Sequence, residues 1–294
     1  MEKDLPSFPV SHRLADRCRY DEDLARWLKD LPSLVEETAN RWEIDIGHPF
    51  LGDDVSCAWV APVRQGDGSS AVLKVPMPHM EAQDELAGLR FWNGDGAVEV
   101  LRFDQDAGVM LLESCEPSTS LRSLPEEEQD AVIAGLLRRL WKLPTDNDHF
   151  RELSVMCNYW AAETLTQSDQ WPDSGIVKQG LRLFDELAST ASERALLATD
   201  LHAGNVLASK REPWLVIDPK PFVGDVCYDA TQHLLNCRKR MQADPWSTVD
   251  RFCDLAHLDA QRVLLWTFAR TAAEGRDAWG DWRFSVAKAL ATRL

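Results

Sequence analysis

Three polar residues that suit phosphate chemistry stand close together in the second half of this 294-residue sequence. Asp200 and Asn205 lie five positions apart in one polar turn, and Asp218 directly follows the apolar segment 214–217. Phosphoryl transfer from a nucleotide needs one carboxylate to accept the proton of the acceptor hydroxyl, and an amide and a second carboxylate to bind Mg²⁺. The sequence therefore predicts Asp200 as a catalytic base, and Asn205 and Asp218 as metal ligands.

The turn that contains Asp200 also has a simpler interpretation. Aspartate, asparagine and glycine are common turn formers, so residues 199–205 would form a polar turn without any chemistry. The order Asp-Leu, three further residues and then Asn nevertheless matches the catalytic loop of kinases. Short apolar segments on both sides, residues 195–197 and 214–217, are typical of buried strand ends that would hold such a loop.

A lysine in a predicted strand supports the phosphate interpretation. Lys74 follows residues 71–73 (Ala-Val-Leu), a pattern close to the kinase strand whose lysine binds nucleotide phosphates and pairs with a helix glutamate. A helix predicted over residues 81–92 carries Glu81 and Glu85 on one face. We favour Glu85 as the partner, because the apolar positions after it should pack against the sheet. The alternative is a snorkelling lysine beside a solvated acidic helix face.

Three further nucleotide contacts are predicted from position. Ser56 ends the glycine-containing segment 52–56 between the first two predicted strands, where backbone N–H groups and a hydroxyl would meet phosphate. An ordinary hairpin turn explains that segment equally well. Glu113 and Cys115 lie in a connector predicted near residues 113–118, after the last strand of the first half, where backbone groups would bond the edge of an adenine base. Only their position supports this assignment.

Two acids downstream of Asp218 have alternative roles. Asp225 is placed to cap the helix that follows it, and Asp229 to brace the backbone of the catalytic loop. Both are also candidates for contact with a cationic substrate, and the structural roles are favoured. His202, inside the loop, is predicted to orient the loop by hydrogen bonding rather than to act as a base.

The composition narrows the classes of function. The formal net charge of −16 argues against binding to nucleic acid and would attract a cationic substrate, although acidity for solubility is the simpler explanation. No apolar segment resembles a transmembrane helix or a secretion signal, so we expect a cytoplasmic protein with no membrane partner. Seven cysteines without a Cys-x-x-Cys pair indicate neither a disulfide framework nor a zinc site.

The order of predicted elements divides the chain into two parts. Residues 44–113 are rich in predicted strands, so we predict an N-terminal lobe over residues 1–115 and a helical C-terminal lobe over 116–294 with the catalytic loop and acceptor site. An N-terminal helix over residues 20–42 is predicted to break near Pro32. Further helices are predicted over residues 126–142, 148–166, 174–188, 228–240, 247–256, 258–275 and 280–293.

With these residues in place, the chain resembles the aminoglycoside phosphotransferase family, and most of all its branch of streptomycin 6-kinases and aminoglycoside/hydroxyurea resistance kinases. The resemblance runs from about residue 42 to residue 236 and is densest in residues 199–207, 214–221 and 224–230. It implies an α+β, bilobal protein-kinase-like fold with a small β-rich N-lobe and a larger helical C-lobe. It also implies ATP and Mg²⁺ as cofactors.

The same resemblance implies the roles of individual residues. Asp200 would be the catalytic base, Asn205 and Asp218 the metal ligands, and Lys74 with Glu85 would bind the nucleotide. The reaction would move the γ-phosphate to a hydroxyl of a small molecule, with a cationic aminoglycoside such as streptomycin as the leading acceptor. Another metabolite or drug is the alternative acceptor, since one fold serves many substrates.

One dipeptide departs from the family pattern. Such kinases usually have His-Gly before the catalytic aspartate, and this chain has Ala198-Thr199. The histidine usually serves the architecture of the loop, so its loss need not abolish catalysis, although it bears on loop geometry and hence on rate. The glycine-containing segment 52–56 is also a weak match to a kinase glycine loop. Together these two departures leave a nucleotide-binding pseudokinase, a protein of another class, as an alternative. The intact Lys74, Asp200, Asn205 and Asp218 count against that alternative.

Overall fold

A computed structural model describes residues 8–52, 55–145, 147–274, 279 and 282–293. The chain forms two compact units. The N-terminal unit comprises the residues up to Gly94 together with Val98–Cys115, and the C-terminal unit comprises Asp95–Ala97 and the residues from Glu116 onward. Asp95–Ala97 belong to the second unit because they contact it through the backbone: Val216 N donates to Gly96 O at 2.9 Å.

A five-stranded antiparallel sheet forms the N-terminal unit. Its strands are β1 (Ile44–Ile46), β2 (Ala58–Gln65), β3 (Ser70–Pro76), β4 (Val100–Asp104) and β5 (Val109–Glu113), in the order β1-β2-β3-β5-β4. Alternate side chains of β3 enter the core, where Ala71, Leu73 and Val75 are at most 1% exposed. Gly68, with a φ of 83°, turns the chain between β2 and β3, as expected for a hairpin. Lys74 lies in the middle of this sheet.

In the described residues of the N-terminal unit, three α-helices accompany the sheet: α1 (His12–Cys18), α2 (Glu22–Trp42) and α3 (Glu85–Trp92), with a 3₁₀ turn (Met80–Ala82) before the last. The predicted break at Pro32 is wrong, because α2 continues through that residue. One face of α2 is buried, at Leu31, Val35, Thr38 and Trp42. Burial of this face offsets the cost of about 3 kcal/mol that a proline carries inside a helix.

Helices dominate the C-terminal unit, as predicted. They are α4 (Glu126–Leu140), α5 (Leu153–Thr166), α6 (Ser174–Ser189), α7 (Val226–Leu234), α8 (Arg238–Ala243), α9 (Pro245–Ala256), α10 (Ala260–Ala273) and α11 (Trp282–Ala291). The single helix predicted over 228–240 is wrong, since the chain turns between α7 and α8. There Asn236 N and Cys237 N donate to carbonyls three residues back, which tightens the end of α7. Residues 280 and 281 of the last predicted helix lie outside the described residues.

Two small sheets lie next to the loop of residues 198–205 in the C-terminal unit. β7 (Arg194–Leu197) pairs with β10 (Phe222–Asp225). β8 (Val206–Ala208) pairs on one side with β6 (Glu116–Ser120) and on the other with β9 (Leu215–Val216). Residues 116–118, predicted as part of a connector, therefore belong to a strand. Their pairing with β8 is a long-range contact that the local sequence does not indicate.

Most of the cysteines are buried inside the protein. All seven cysteines are free thiols, and all but Cys57 are buried. Burial raises the pKa of Cys18 to about 11 and that of Cys157 to about 12, so these thiols stay protonated at neutral pH. Within the described ranges, no helix is long and apolar enough to cross a membrane.

Candidate active site

The predicted catalytic loop, residues 198–205, lies between β7 and β8 and brings the predicted base and amide together. Asp200 keeps 30% of its side chain exposed. The 3₁₀ turn Ala203–Asn205 closes the loop, and there Asn205 Nδ2 donates to Asp200 O at 3.0 Å and lies 3.5 Å from Asp200 Oδ2. Because the amide nitrogen faces Asp200, the amide oxygen of Asn205 is left as its acceptor atom.

A backbone hydrogen bond brings the segment that ends in Asp218 to Asn205. Ile217 N donates to Asn205 O at 2.9 Å, beside the β8–β9 pair. Lys220 Nζ contacts Asp218 Oδ1 at 2.5 Å, and the Asp218 side chain is 33% exposed. This part of the chain thus carries an amide oxygen on Asn205 and a carboxylate on Asp218, one residue beyond the backbone contact. Such hard oxygen donors suit Mg²⁺, so the residues fit the metal that the sequence predicts.

Asp229 braces the catalytic loop from within the core. Its Oδ2 accepts from Ala198 N and Trp141 Nε1, both at 3.0 Å, and its Oδ1 accepts from Thr199 N at 2.7 Å. Burial raises the pKa of this carboxyl to about 6, although the three donors act in the opposite direction. The predicted bracing role is confirmed, and Asp229 connects α7 to the residues just before the base.

The dipeptide Ala198-Thr199 has a clear structural role. Thr199 has a φ of 46°, in the left-handed region that favours glycine, at the position where related kinases usually have glycine. Its hydroxyl donates to Lys220 O, which ties the catalytic loop to the segment after Asp218. Thr199 therefore supplies a side-chain contact that glycine lacks.

Asp225 caps α7 and is closed off from ligands. Its Oδ1 accepts from Cys227 N at 3.0 Å, and its Oδ2 accepts from Trp266 Nε1 at 2.7 Å and pairs with Arg262. The predicted helix cap is thus confirmed. Asp225 is 2% exposed and Asp229 is 0% exposed, with their carboxylates engaged inside the C-terminal unit. The substrate contact considered for Asp225 and Asp229 is therefore a misassignment.

Lys74 and Glu85 form a buried ion pair in the N-terminal unit. The Lys74 side chain on β3 is 7% exposed and that of Glu85 on α3 is 1% exposed. Glu85 is the first residue of α3, and Glu81 lies before it in a separate 3₁₀ turn, so the helix predicted over residues 81–92 begins four residues later than expected. The choice of Glu85 over Glu81 is confirmed. A buried pair holds the ammonium in one place, as a phosphate-binding lysine requires.

The replacement Glu85→Ala is expected to lower the free energy of unfolding by about 3–5 kcal/mol, because it removes the buried carboxylate that faces the buried Lys74 ammonium. The double replacement Lys74→Met with Glu85→Leu should recover most of that loss, since apolar groups then fill the space. Urea denaturation measures both effects, with the exposed Glu37→Ala on α2 as control. A loss in Glu85→Ala as small as that of the control would contradict the pairing.

The structure locates the other residues predicted to contact a nucleotide, but their distances to neighbouring groups do not test that role. Ser56 Oγ lies 3.5 Å from Cys57 Sγ in the segment before β2, and Asp53 and Asp54 of the predicted glycine loop lie outside the described residues. Glu113 ends β5, where its Oε2 accepts from Glu99 N at 3.2 Å. Cys115 follows as a buried thiol. The roles of Ser56, Glu113 and Cys115 toward a nucleotide stay predictions.

Sequence reasoning missed two side chains at the site. Gln232 Nε2 donates to Asp200 Oδ1 at 2.6 Å, and Lys220 pairs with Asp218. Gln232 is 32 residues from Asp200, so no local spacing could reveal the contact. Lys220 lies in a segment that the family resemblance covers, but none of the motifs that we interpreted includes it. His202, as predicted, orients the loop: its Nδ1 accepts from Gly204 N at 3.0 Å.

A buried charged cluster lies below the C-terminal end of α7. His233 Nε2 lies 2.8 Å from Asp130 Oδ1, and Arg240 donates to the two Asp130 oxygens at 2.7 and 2.8 Å. The donor atoms of Asp130, His233 and Cys237 lie within 4.8 Å of one another. Arg240 already supplies the positive charge that a metal would bring, so we interpret the cluster as structural.

The proton on His233 should make stability depend on pH. Burial would lower the pKa of His233, but its contacts with Asp130 and Cys237 raise it to about 9 from the ordinary 6.5. The folded state then binds the proton more tightly than the unfolded chain, so this stabilisation is complete below pH 6.5 and is lost as the pH rises through 9.

We therefore expect Tm to fall between about pH 6.5 and 9, and His233→Gln to flatten that part of the curve. Thermal unfolding followed by circular dichroism across this range measures the slope. His257→Gln, at an exposed histidine after α9, is the matched control and should keep the wild-type slope. An unchanged slope in His233→Gln would show that another group titrates.

The two units together define the class of the protein. A β-sheet unit with a lysine–glutamate pair and a helical unit with Asp200, Asn205 and Asp218 in this order have the architecture of a phosphotransferase with the protein-kinase-like fold. The choline kinase LicA from Streptococcus pneumoniae is similar in fold, with a TM-score of 0.59 at 16% identity over 88% of this chain and 98% of that chain. LicA has also been solved with AMP.

Sequence comparisons identify the family within that class. The model described as aminoglycoside/hydroxyurea antibiotic resistance kinase matches residues 48–281. A streptomycin 6-kinase of Streptomyces griseus is 34% identical over 92% of both chains. A hydroxyurea phosphotransferase of Kitasatospora aureofaciens is 33% identical over 83% of this chain and 72% of its own length. The chain belongs to the aminoglycoside/hydroxyurea antibiotic resistance kinase family, and it is an ATP-dependent small-molecule kinase.

Proposed function

We propose that this kinase transfers the γ-phosphate of ATP to a hydroxyl of an aminoglycoside, with streptomycin as the leading acceptor. The observation that carries the proposal is the contact of Asp200 with Asn205 and, through Ile217, of Asn205 with the segment of Asp218. Similarity to a streptomycin 6-kinase over most of both chains supports the acceptor. The net charge of −16 suits an acceptor that carries positive charge. A cytoplasmic location stays a prediction of the sequence.

Each residue of the loop has a chemical task in this proposal. Asp200 accepts the proton of the acceptor hydroxyl, and Asn205 holds the Asp200 main chain while its amide oxygen faces the metal site. Asn205 and Asp218 would hold Mg²⁺, which neutralises charge on the phosphates when it is bound. Lys220 forms an ion pair with the carboxylate of Asp218 and limits the movement of that carboxylate. Lys74, held by Glu85, binds the nucleotide phosphates.

The direct test is incubation with ATP, Mg²⁺ and streptomycin. The proposal expects one phosphate added to the drug, with its position read from fragment masses, and equimolar ADP. Spectinomycin and kanamycin serve as acceptors of related chemistry. Nucleotide consumption that streptomycin does not stimulate, together with phosphorylation of a different acceptor, would overturn streptomycin as the acceptor while leaving the kinase reaction in place.

Hydroxyurea is a second candidate acceptor. The similarity to a hydroxyurea phosphotransferase, 33% identity against 34% for the streptomycin 6-kinase, is nearly as high. Hydroxyurea also presents one hydroxyl to a base, so the same Asp200 chemistry applies. The ratio of kcat/KM for hydroxyurea and streptomycin, measured on one preparation with the same ATP concentration, decides between the two.

A further inference from the structure

Gln232 connects the predicted base to a buried arginine. It lies on the last turn of α7, and its Nε2 donates to Asp200 Oδ1 at 2.6 Å. On the other side, Gln232 Oε1 accepts from Arg270 Nη2 at 2.8 Å. Both polar atoms of one amide are therefore engaged, one by the base and one by a cation. All three residues belong to the C-terminal unit.

Arg270 is held rigidly, so it can fix the amide. The residue on α10 is 6% exposed and its guanidinium lies 4.9 Å from the centre of the Tyr228 ring. It donates to Glu274 at 2.9 and 3.1 Å and to Thr231 Oγ1 at 2.8 Å. These contacts occupy the planar group on several sides and leave it little freedom to turn.

The chemistry of the guanidinium determines which way the amide points. Arginine donates hydrogen bonds and accepts none, so the Gln232 oxygen must face Arg270. The NH₂ group must then face Asp200. A neutral donor holds the carboxylate in one orientation without placing a full positive charge against the base. The charge of Arg270 polarises the amide and strengthens its hydrogen bond to Asp200.

We propose that Gln232 is a positioning residue for the catalytic base, oriented by Arg270. It keeps Asp200 Oδ1 engaged, so that the carboxylate presents a single orientation to the acceptor hydroxyl. The inference rests on the proposed role of Asp200 in the kinase reaction. It goes beyond that role because it assigns a function to two residues outside the catalytic loop and its metal ligands.

Two replacements separate positioning from a structural role. Gln232→Leu removes the donor and the contact with Arg270. Gln232→Glu has nearly the same shape and strengthens the contact with Arg270, but it places an oxygen where the NH₂ donor was. Matched controls are Gln261→Leu and Gln261→Glu, at an exposed position of α10.

We expect kcat to fall about 10- to 100-fold in Gln232→Leu and further in Gln232→Glu, with KM for ATP and for the acceptor unchanged. The two variants should rank the other way in Tm. Gln232→Leu should have the lower Tm, since it loses the contact with Arg270 that Gln232→Glu keeps. If Gln232 only supported the fold, the variant with the lower Tm would also have the lower kcat. Activity of Gln232→Glu equal to that of the wild type would overturn the proposal.

A second readout does not depend on the acceptor. In crystal structures of the wild type and Gln232→Leu, we expect the Asp200 carboxylate to have one orientation in the first and a rotated or divided one in the second. An identical Asp200 side chain in both structures contradicts the positioning role. If the wild type phosphorylates no acceptor in the panel, the proposed function fails, whereas this crystallographic comparison still decides the role of Gln232.

Discussion

Replacing Asp200 by asparagine is expected to reduce kcat by about 10²–10⁴-fold, the range that general base catalysis typically contributes. The amide cannot accept the proton of the acceptor hydroxyl at neutral pH. It is close in size to the carboxylate, and the contact from Asn205 Nδ2 to the Asp200 main chain, 3.0 Å long, does not involve the side chain. Binding should therefore change little, and KM for ATP and acceptor should stay within about threefold of the wild type.

The measurement is steady-state kinetics with a coupled ADP assay over a range of acceptor concentrations. Asp254→Asn, at an exposed acid on α9, is the matched control because it makes the same chemical change away from the loop. Turnover of Asp200→Asn at the rate of this control would exclude Asp200 as the base. A fall in kcat together with a fall in Tm would instead indicate damage to the loop.

Replacing Asp229 by alanine is expected to lower the free energy of unfolding by at least about 3 kcal/mol. The side chain is 0% exposed and satisfies three donors, Ala198 N, Thr199 N and Trp141 Nε1. Alanine leaves all three without an acceptor in the core. Asparagine should cost less than alanine, because its amide oxygen still accepts from part of this set.

The same replacement should also slow catalysis well below the unfolding temperature. Asp229 holds the two residues directly before Asp200, so loss of the brace lets the base move. Guanidinium denaturation gives the stability and initial rates at low temperature give the activity, with the exposed Asp185→Ala on α6 as control. An Asp229→Ala variant as stable as this control would show that the carboxylate does not support the loop.

Much of the candidate site follows from local sequence. The separation of Asp200 and Asn205 reflects one loop, and Asp218 follows directly from the apolar strand before it. Lys74 on its strand could be paired with Glu85 rather than Glu81 because the apolar positions after Glu85 were expected to pack against the sheet. Local patterns of this kind also predicted the sheet-rich first half and the helical second half, which the comparisons confirm.

Other features could not be predicted because they depend on residues far apart in the chain. The α2 helix passes through Pro32 since a buried face on the core offsets the missing hydrogen bond, and no local rule includes that packing. Pairing of residues 116–120 with β8 is likewise a contact across more than eighty residues. Local patterns also left the roles of Asp225 and Asp229 open, because burial and bonding partners decide whether an acid binds a ligand or supports the fold.

The sequence by itself determined the kinase class, because the predicted base, amide and lysine have the spacings of a kinase site and the chain resembles a kinase family over most of its length. Only the tertiary structure decided how Asp200, the proposed base, is held. Asp229 braces the loop from α7, Thr199 ties it to Lys220, and Gln232 reaches Asp200 with Arg270 behind it. These contacts join separate helices and strands, so they exist only once the C-terminal unit has packed.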